Sequence, residues 1–278
     1  MRMQDAILRA WQKSPLSWRR GFVKSRLAPP LRRLMNSLYP AGPEIFQLAA
    51  PLEGYRMRLE WRSPKALVFG TYEPEVAQAL LTIVQTDWVV IDVGAHIGYF
   101  ALLLSKLVGL HGRVIAFEPF PENFRTLEEN VRINSCHNIV LENRAVASIS
   151  GPVTMRSNDL QRLPYTASLV SGQPIADVEA VSLDDYTASL PDPIRFVIMD
   201  VEGAEASVLR GMQSMLQRDL PTLLIELHGF DDREARHPAL QELHSMNYGF
   251  RFIDVPGVQA HILAEPRISR GDQRRAFD

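Results

Sequence analysis

The chain has 278 residues, a formal net charge of −2 and 46% hydrophobic residues. This length suits an α/β domain with extensions, and the apolar share can fill a sizeable core. The single cysteine, Cys136, excludes an intrachain disulfide framework and a cysteine-rich zinc site. The sequence contains neither an apolar signal region nor an apolar run long enough to span a membrane, so we expect a cytoplasmic protein.

The first 40 residues are strongly basic, with nine Lys and Arg residues and one acidic residue. Basic and apolar side chains alternate over 17–36, which could dock on an anionic membrane surface or on a partner. Pro29 and Pro30 interrupt this stretch, so we favour an arm that packs on the rest of the protein. The remaining chain is acidic, and nucleic-acid binding is not expected. We assign 1–64 to this arm and an α-rich extension, and 65–278 to the main domain.

Elements predicted before the core are a strand over 55–61 and a helix over 73–84. The core begins with a buried strand over 89–93, which contains Asp92 and leads into a turn with Gly94, His96 and Gly98. Because glycine has no Cβ atom, this turn would let the backbone approach a ligand closely. Histidine replaces the middle glycine of a dinucleotide fingerprint, and the Gly-Lys-Ser/Thr ending of a P-loop is absent. What remains is an Asp-x-Gly-x-x-x-Gly loop.

A second strand over 113–117 ends at Glu118, which lies 26 residues after Asp92. In a strand–helix–strand unit, a carboxylate at this point can accept hydrogen bonds from both hydroxyl groups of a ribose. The competing interpretation is a solvated strand end. A helix over 122–133 follows, with proline near its start.

The later part of the chain continues to alternate between strands and helices. This alternation predicts a doubly wound, mostly parallel sheet with helices on both faces. Residues 151–180 contain several prolines and glycines, and we predict an irregular segment that could cover the mouth of the site. A single helix is predicted over 204–216. Further core strands are predicted near residues 138–142, 195–199, 222–226 and 250–254.

Two of these strands end in acidic residues or histidine. Asp200 follows the first, with Glu202 and Glu205 close behind, and Glu226 and His228 end the second. Open α/β sheets bind ligands at the carboxyl ends of their strands, so these side chains should lie near the earlier acidic strand ends. They could form a divalent-cation site or a general-base cluster. The alternative is that one or two of these residues only cap helices or anchor loops. For Glu205 the competing explanation is a favourable interaction with the helix dipole.

These blocks, in this order and spacing, resemble the FkbM-type methyltransferase family over roughly residues 65–255. The resemblance implies a Rossmann-like methyltransferase fold that binds S-adenosylmethionine. It also implies O-methylation of a hydroxyl group on a sugar, glycolipid or secondary metabolite, so the expected partner is a small-molecule or glycan acceptor. The matching segments are 90–98, 116–119, 145–146, 182–185 and 200–205.

The resemblance also implies roles for single residues, including contacts of Asp200 and Glu202 with the reaction centre. Two positions depart from the family pattern, because His96 replaces the usual asparagine and Ile198 the usual lysine. A mechanism that uses that lysine as a base is therefore not transferred. The implied cofactor contacts are Asp92, Gly94 and Gly98 at the amino-acid end, with His96 in the same loop, Glu118 at the ribose, and Asn143 to Ala145 beside the adenine.

Methyl transfer to a hydroxyl group is an in-line displacement that benefits from deprotonation of the acceptor. Asp200 or His228 could be the base, or a cation held by Asp200 and Glu226 could lower the pKa of the hydroxyl. No residue is assigned to a metal site from sequence alone. Two other functions stay open: an NAD-dependent oxidoreductase, which His96 disfavours, and a non-catalytic relative of the fold that binds a partner through its basic arm.

Overall fold

The computed structural model describes Ser14 and residues 42–60, 65–157, 167–169, 172–229, 237–253 and 259–267. The basic stretch 17–36 lies outside these residues, so its contact with a membrane surface or with the main domain stays a prediction. The boundary between residues 1–64 and 65–278 also stays a prediction. Within the described ranges, no helix is long and apolar enough to cross a membrane.

Strands and helices alternate through the central part of the chain, as the sequence predicts. In chain order the described elements are β1 (Pro43–Gln47), β2 (Arg56–Glu60), α1 (Lys65–Phe69), α2 (Pro74–Ile83), β3 (Val89–Val93), α3 (Tyr99–Val108), β4 (Arg113–Phe117), α4 (Pro121–Ile133), β5 (Ile139–Glu142), β6 (Ala145–Val146), β7 (Gly151–Ser157), β8 (Ala167–Ser168), β9 (Gln173–Val181), α5 (Leu183–Thr187), β10 (Ile194–Met199), α6 (Glu205–Arg210), α7 (Gln213–Asp219), β11 (Thr222–His228), α8 (Pro238–Ser245), β12 (Tyr248–Phe252) and β13 (Gln259–Pro266).

The central sheet of the described chain has seven strands in the spatial order β12-β13-β11-β10-β3-β4-β5. Strands β11, β10, β3, β4 and β5 pair in parallel, and β13 runs antiparallel to both of its neighbours. Strand β3 pairs with β4 on one side and with β10 on the other, so the strand order reverses at β3. Such a switch point is where open α/β sheets bind ligands. The predicted doubly wound, mostly parallel, Rossmann-like sheet is confirmed.

Helices cover both faces of this sheet, so its central strands are buried on both sides. All five residues of β3 are buried, and successive side chains of a strand point to opposite faces. Val90 belongs to the same buried cluster as Leu80 of α2 and Leu102 of α3. Its neighbour Ile91 belongs to the cluster on the other face, together with Val208 of α6. The alternating side chains of β3 therefore pack against the helices on both faces of the sheet.

Two features of the sheet region differ from the prediction. Strand β13 is not among the predicted strands, because a short apolar run cannot be assigned to strand or helix from periodicity alone. The predicted helix 204–216 is two helices, α6 and α7, separated at Gly211. A Cβ atom at Gly211 would lie 2.1 Å from the carbonyl oxygen of Ala147. Gly211 and Ala147 lie far apart in the sequence, so the helical pattern around Gly211 could not reveal the break.

The described part of the extension consists of strands, so its predicted α-rich character does not hold for residues 42–60. Strands β1 and β2 form an antiparallel hairpin, and β2 matches the strand predicted over 55–61. The hairpin is held by packing, because Leu52 and Met57 are fully buried in the cluster that also contains Leu80 of α2. The rest of 1–64, apart from Ser14, lies outside the described residues.

The described residues within 151–180, which are 151–157, 167–169 and 172–180, lie mostly in strands, and this corrects the prediction of an irregular segment for them. Strands β6, β9, β7 and β8 form a second sheet in that order. Alternating apolar residues hold it together, because Val153 and Val178 pack against Ala145 and Ala180. Proline and glycine near the strand ends conceal this pattern in the sequence. The sheet lies beside the carboxyl ends of the central strands.

Candidate active site

Two adjoining cavities lie at the switch point of the central sheet. The first, of about 150 Å³, is lined by residues at the carboxyl ends of β3, β4 and β10 and by Met155 of the second sheet. The second, of about 70 Å³, lies toward α2 and α3. The residues that line both cavities are Tyr72, Gly94, His96 and Asp200.

The two glycines of the loop after β3 are required by contacts within the protein. Gly94 has a φ of +87°, and a Cβ atom there would lie 1.8 Å from the carbonyl oxygen of Asp200. Gly98 has a φ of +96°, and its Cβ would lie 2.6 Å from Cδ1 of Leu127. Gly94 also lines both cavities, whereas Gly98 lines neither. The predicted close approach to a ligand therefore suits Gly94, and Gly98 serves the packing of α3 against α4.

His96 occupies a backbone conformation that explains its departure from the family pattern. Its φ is 50°, in the left-handed region where asparagine and histidine are both enriched. Histidine can therefore replace asparagine here without a change in the path of the loop. Burial lowers the pKa of His96 to about 4, so the ring is neutral at pH 7. The residue reaches both cavities and is placed to contact a ligand there.

Glu118 is buried at the end of β4 and organises the surrounding loops. Its Oε2 atom accepts a hydrogen bond from the amide of His96 at 2.8 Å. Its Oε1 atom accepts from the amide of Phe120 at 2.9 Å and from Nδ2 of Asn123 at 3.3 Å. Burial raises the pKa of Glu118 to about 7, although these hydrogen bonds oppose the shift. The residue lines the first cavity, at the point where a ribose contact is predicted.

The segment predicted to lie beside the adenine has two different roles in the structure. Nδ2 of Asn143 donates hydrogen bonds to the carbonyl oxygens of Glu118 at 2.8 Å and of Pro119 at 3.2 Å. Asn143 therefore ties the end of β5 to the end of β4. Arg144 and Ala145 line the first cavity themselves.

The four residues predicted at the later strand ends converge in the structure. Nε2 of His228 lies 3.7 Å from Oδ1 of Asp200, 3.4 Å from Oε2 of Glu202 and 3.7 Å from Oε1 of Glu226. The side chain of Asp200 is 44% exposed and lines both cavities, whereas the side chains of Glu226 and His228 are 8% and 13% exposed. Asp200 is thus the most accessible member of this cluster.

Burial and mutual charge shift the pKa values of these groups. The Asp200 side chain is partly exposed, but its Oδ1 atom is buried, and this burial together with the carboxylate of Glu226 raises the pKa of Asp200 well above its usual value. Burial alone would lower the pKa of His228, but the hydrogen bond to Glu205 and the nearby carboxylates raise it to about 9. Burial also acts to raise the pKa of Glu226, but His261 and His228 outweigh it and hold the pKa below its usual value. A positively charged His228 therefore lies among carboxylates at neutral pH.

Glu205 is the partner of His228, a role that the sequence did not distinguish from a favourable position at the start of a helix. Its side chain is 1% exposed, and Oε1 lies 2.9 Å from Nδ1 of His228. The same oxygen accepts a hydrogen bond from the amide of Gly203 at 2.9 Å. These contacts fix one side of the imidazole ring, and Nε2 then points to the other carboxylates.

Two groups of side chains among the described residues could hold a metal ion. One contains Asp200, Glu226 and His228, and the other contains Glu73, Glu226 and His261. Their ligand atoms lie within 4.8 Å of one another. Sequence reasoning missed the second group because His261 lies on the unpredicted strand β13, where it pairs directly with Glu226.

Asp92 faces the second cavity. It is 3% exposed, and its Oδ2 atom has no hydrogen-bond partner. Burial and the carboxylate of Glu118 raise the pKa of Asp92 to about 7. The structure thus places Asp92 and Glu118, the two acidic ends of β3 and β4, beside different cavities.

Two curated relatives match part of the chain. Hexuronic acid methyltransferase AglP of Haloferax volcanii is 30% identical over 169 residues, which cover 59% of this chain and 66% of that protein. Methyltransferase 1 of Beauveria bassiana is 25% identical over 164 residues, which cover 51% of this chain and 65% of that protein. The chain thus spans just under two thirds of the length of each relative.

Solved structures with similar folds include methyltransferase FkbM from Methylobacillus flagellatus, with 20% identity, a TM-score of 0.45, and coverage of 70% of this chain and 51% of that one. Fibrillarin from Aeropyrum pernix, solved with bound S-adenosylmethionine, is 17% identical with a TM-score of 0.46. The match covers 68% of this chain and 74% of that one. The family model described as the methyltransferase FkbM domain matches residues 92–252, which is more than half of the chain. This protein therefore belongs to the methyltransferase FkbM family.

Proposed function

We propose that this protein transfers the methyl group of S-adenosylmethionine to a hydroxyl group of a sugar. The observation that carries the proposal is the place of Asp200, a carboxylate that lines both cavities at the switch point. It lies beside His228, whose ring is held by the buried Glu205. A partly exposed carboxylate next to a fixed imidazole can receive the proton of a hydroxyl group.

The residues of the first cavity fit the adenosine part of the cofactor. Glu118 ends β4 beside β3, where an acidic residue can accept hydrogen bonds from the ribose hydroxyls. Ala145 offers a small apolar surface to the adenine, and Asn143 holds its segment in place. The amino-acid end would extend along the loop at Gly94. This orientation brings the sulfonium group near Asp200, where S-adenosylmethionine supplies an electrophilic methyl group.

The proposed reaction is a single displacement. The acceptor oxygen would form a bond to the methyl carbon as the bond between that carbon and sulfur breaks, which would leave S-adenosylhomocysteine. The hydroxyl proton passes to Asp200 and then to solvent. Alignment of the acceptor, the methyl group and the sulfur supplies much of the rate. Glu226 and His228 would hold Asp200 in place, and Oε2 of Glu202 lies 3.4 Å from Nε2 of the same histidine.

A sugar acceptor is supported by the name of the 30% identical relative, a hexuronic acid methyltransferase. It is also supported by the chemistry of the cluster, because carboxyl oxygens such as those of Glu202 can accept hydrogen bonds from sugar hydroxyls. Glycolipids and hydroxylated secondary metabolites offer the same group and are alternative acceptors.

An acceptor screen tests the proposal. The full chain is incubated with S-adenosylmethionine labelled in its methyl group and with sets of free sugars, uronic acids, glycolipids and hydroxylated small molecules. We expect label in a methyl ether of a sugar, identified by mass spectrometry of the product. Transfer only to amines, thiols or carboxylates would contradict methylation of a hydroxyl group, and transfer only to non-sugar alcohols would contradict the sugar acceptor.

The contact between Glu205 and His228 leads to a prediction for catalysis. Glu205→Ala is expected to lower kcat roughly 10- to 100-fold, because His228 loses the group that fixes its ring. Glu205→Gln keeps an oxygen that can accept from Nδ1, and it is expected to recover most of this loss. The measurement is steady-state kinetics of both variants with the acceptor found in the screen.

The KM for S-adenosylmethionine should not change in either variant, because Glu205 lines neither cavity. Thermal unfolding of each variant checks that the protein remains folded. Equal rate losses in the alanine and glutamine variants would show that the oxygen at this position does not orient His228.

A further inference from the structure

The second cavity is lined by more acidic than basic side chains. Its lining contains the carboxyl groups of Glu73, Asp92, Asp200 and Glu226, and neither lysine nor arginine is among the residues that line it. Carboxylates removed from water are costly unless a cation or hydrogen-bond donors compensate them. The composition of this cavity therefore favours a positively charged ligand.

Three of the lining side chains have the spacing of metal ligands. Nε2 of His261 lies 3.6 Å from Oε2 of Glu73 and 3.6 Å from Oε2 of Glu226. Two ligands bound tetrahedrally to one zinc ion are separated by about 3.4 Å, given the usual bond lengths. One histidine and two carboxylates are also a donor set that suits divalent first-row metals.

A second observation points to a ligand in the same cavity. Asp92 is 3% exposed, and its Oδ2 atom has no hydrogen-bond partner. Tyr99 is 4% exposed, and its hydroxyl oxygen also has no hydrogen-bond partner. Both residues line the second cavity. Buried polar atoms are almost always satisfied, so two such atoms at one small cavity indicate a polar ligand or ordered water there, and an ion with its water ligands would satisfy both.

We propose that the second cavity binds a divalent metal ion of the zinc type through Glu73, Glu226 and His261. The three ligands come from the start of α2, from β11 and from β13. The ion would hold the segment that contains Tyr72 and Glu73 against the sheet, next to the cavity shared with Asp200. It would thus fix one wall of both cavities.

Cobalt binding tests this site without reference to methyl transfer. The tag-free full chain is stripped of metal, freed of chelator and titrated with Co²⁺ while visible absorption is recorded. Tetrahedral Co²⁺ absorbs more intensely than hydrated Co²⁺, so the spectrum reports the coordination. We expect one equivalent to bind. His261→Gln and Glu73→Gln should each weaken binding at least about 100-fold.

His228→Gln is the matched control, because His228 belongs to the other cluster around the same Glu226. It should keep the Co²⁺ spectrum, and circular dichroism checks the fold of each variant. Loss of binding in His228→Gln with retention in His261→Gln would place the ion at Asp200 and overturn the proposal. No binding by the folded protein, or stoichiometric displacement of Co²⁺ by S-adenosylmethionine, would overturn it as well.

Discussion

Asp200→Asn is expected to lower kcat by about 10²- to 10⁴-fold, the range that a general base contributes. Asparagine has nearly the same shape as aspartate but cannot accept the hydroxyl proton. The affinity for S-adenosylmethionine should change little, because the backbone of Asp200 keeps its position against Gly94. Single-turnover methyl transfer with the acceptor from the screen measures the chemical step directly.

Asp192→Asn is a matched control for this experiment. Asp192 is exposed and lies before the amino end of β10, whereas Asp200 follows the carboxyl end of the same strand. Its substitution should leave turnover and cofactor affinity at the wild-type level. Full turnover in Asp200→Asn with normal cofactor binding would show that another group removes the proton.

Gly94→Ala is expected to destabilise the protein by more than about 4 kcal/mol, a loss seen only when a specific structural feature is broken. The new Cβ would lie 1.8 Å from the carbonyl oxygen of Asp200, which is backbone and cannot rotate away. The positive φ adds a cost of about 1–2 kcal/mol. Because native domains are stable by only about 5–15 kcal/mol, most of the folded population could be lost. Denaturant unfolding of purified protein measures the change.

Gly54→Ala separates the backbone cost from the clash. Gly54 has a φ of +94°, and a Cβ atom there would meet nothing within 4 Å. This variant is expected to lose only about 1–2 kcal/mol. If the two substitutions cost the same, the close approach between Gly94 and Asp200 would not be a determinant of the fold.

Local sequence patterns were sufficient to predict the five parallel strands of the central sheet. Four of the five parallel strands in the central sheet are short apolar runs with a carboxylate or a glycine after them, and parallel strands align their carboxyl ends at one edge. For this reason Asp200, Glu226 and His228 could be placed together before the structure was known. Glu118 could be placed at the same edge from its distance to the glycine loop.

Contacts between distant segments could not be predicted. Gly211 lies at the break between two helices and close to the backbone of Ala147, and the helical pattern on either side gives no sign of this approach. His261 reaches the site only because β13 inserts beside β11. Glu205 has the position of a favourable helical glutamate, and only the fold shows that it holds His228. In each case the decisive partner lies outside the local sequence window.

The most direct test of the central claim is binding of S-adenosylmethionine by isothermal titration calorimetry. We expect micromolar binding by the wild-type chain. Glu118→Ala should weaken it about 100-fold, because the proposed hydrogen bonds from the ribose hydroxyls to this carboxyl group are lost. Glu122→Ala, an exposed position in the first turn of α4, should bind like the wild type. Absence of binding by well-folded wild-type protein would contradict the account.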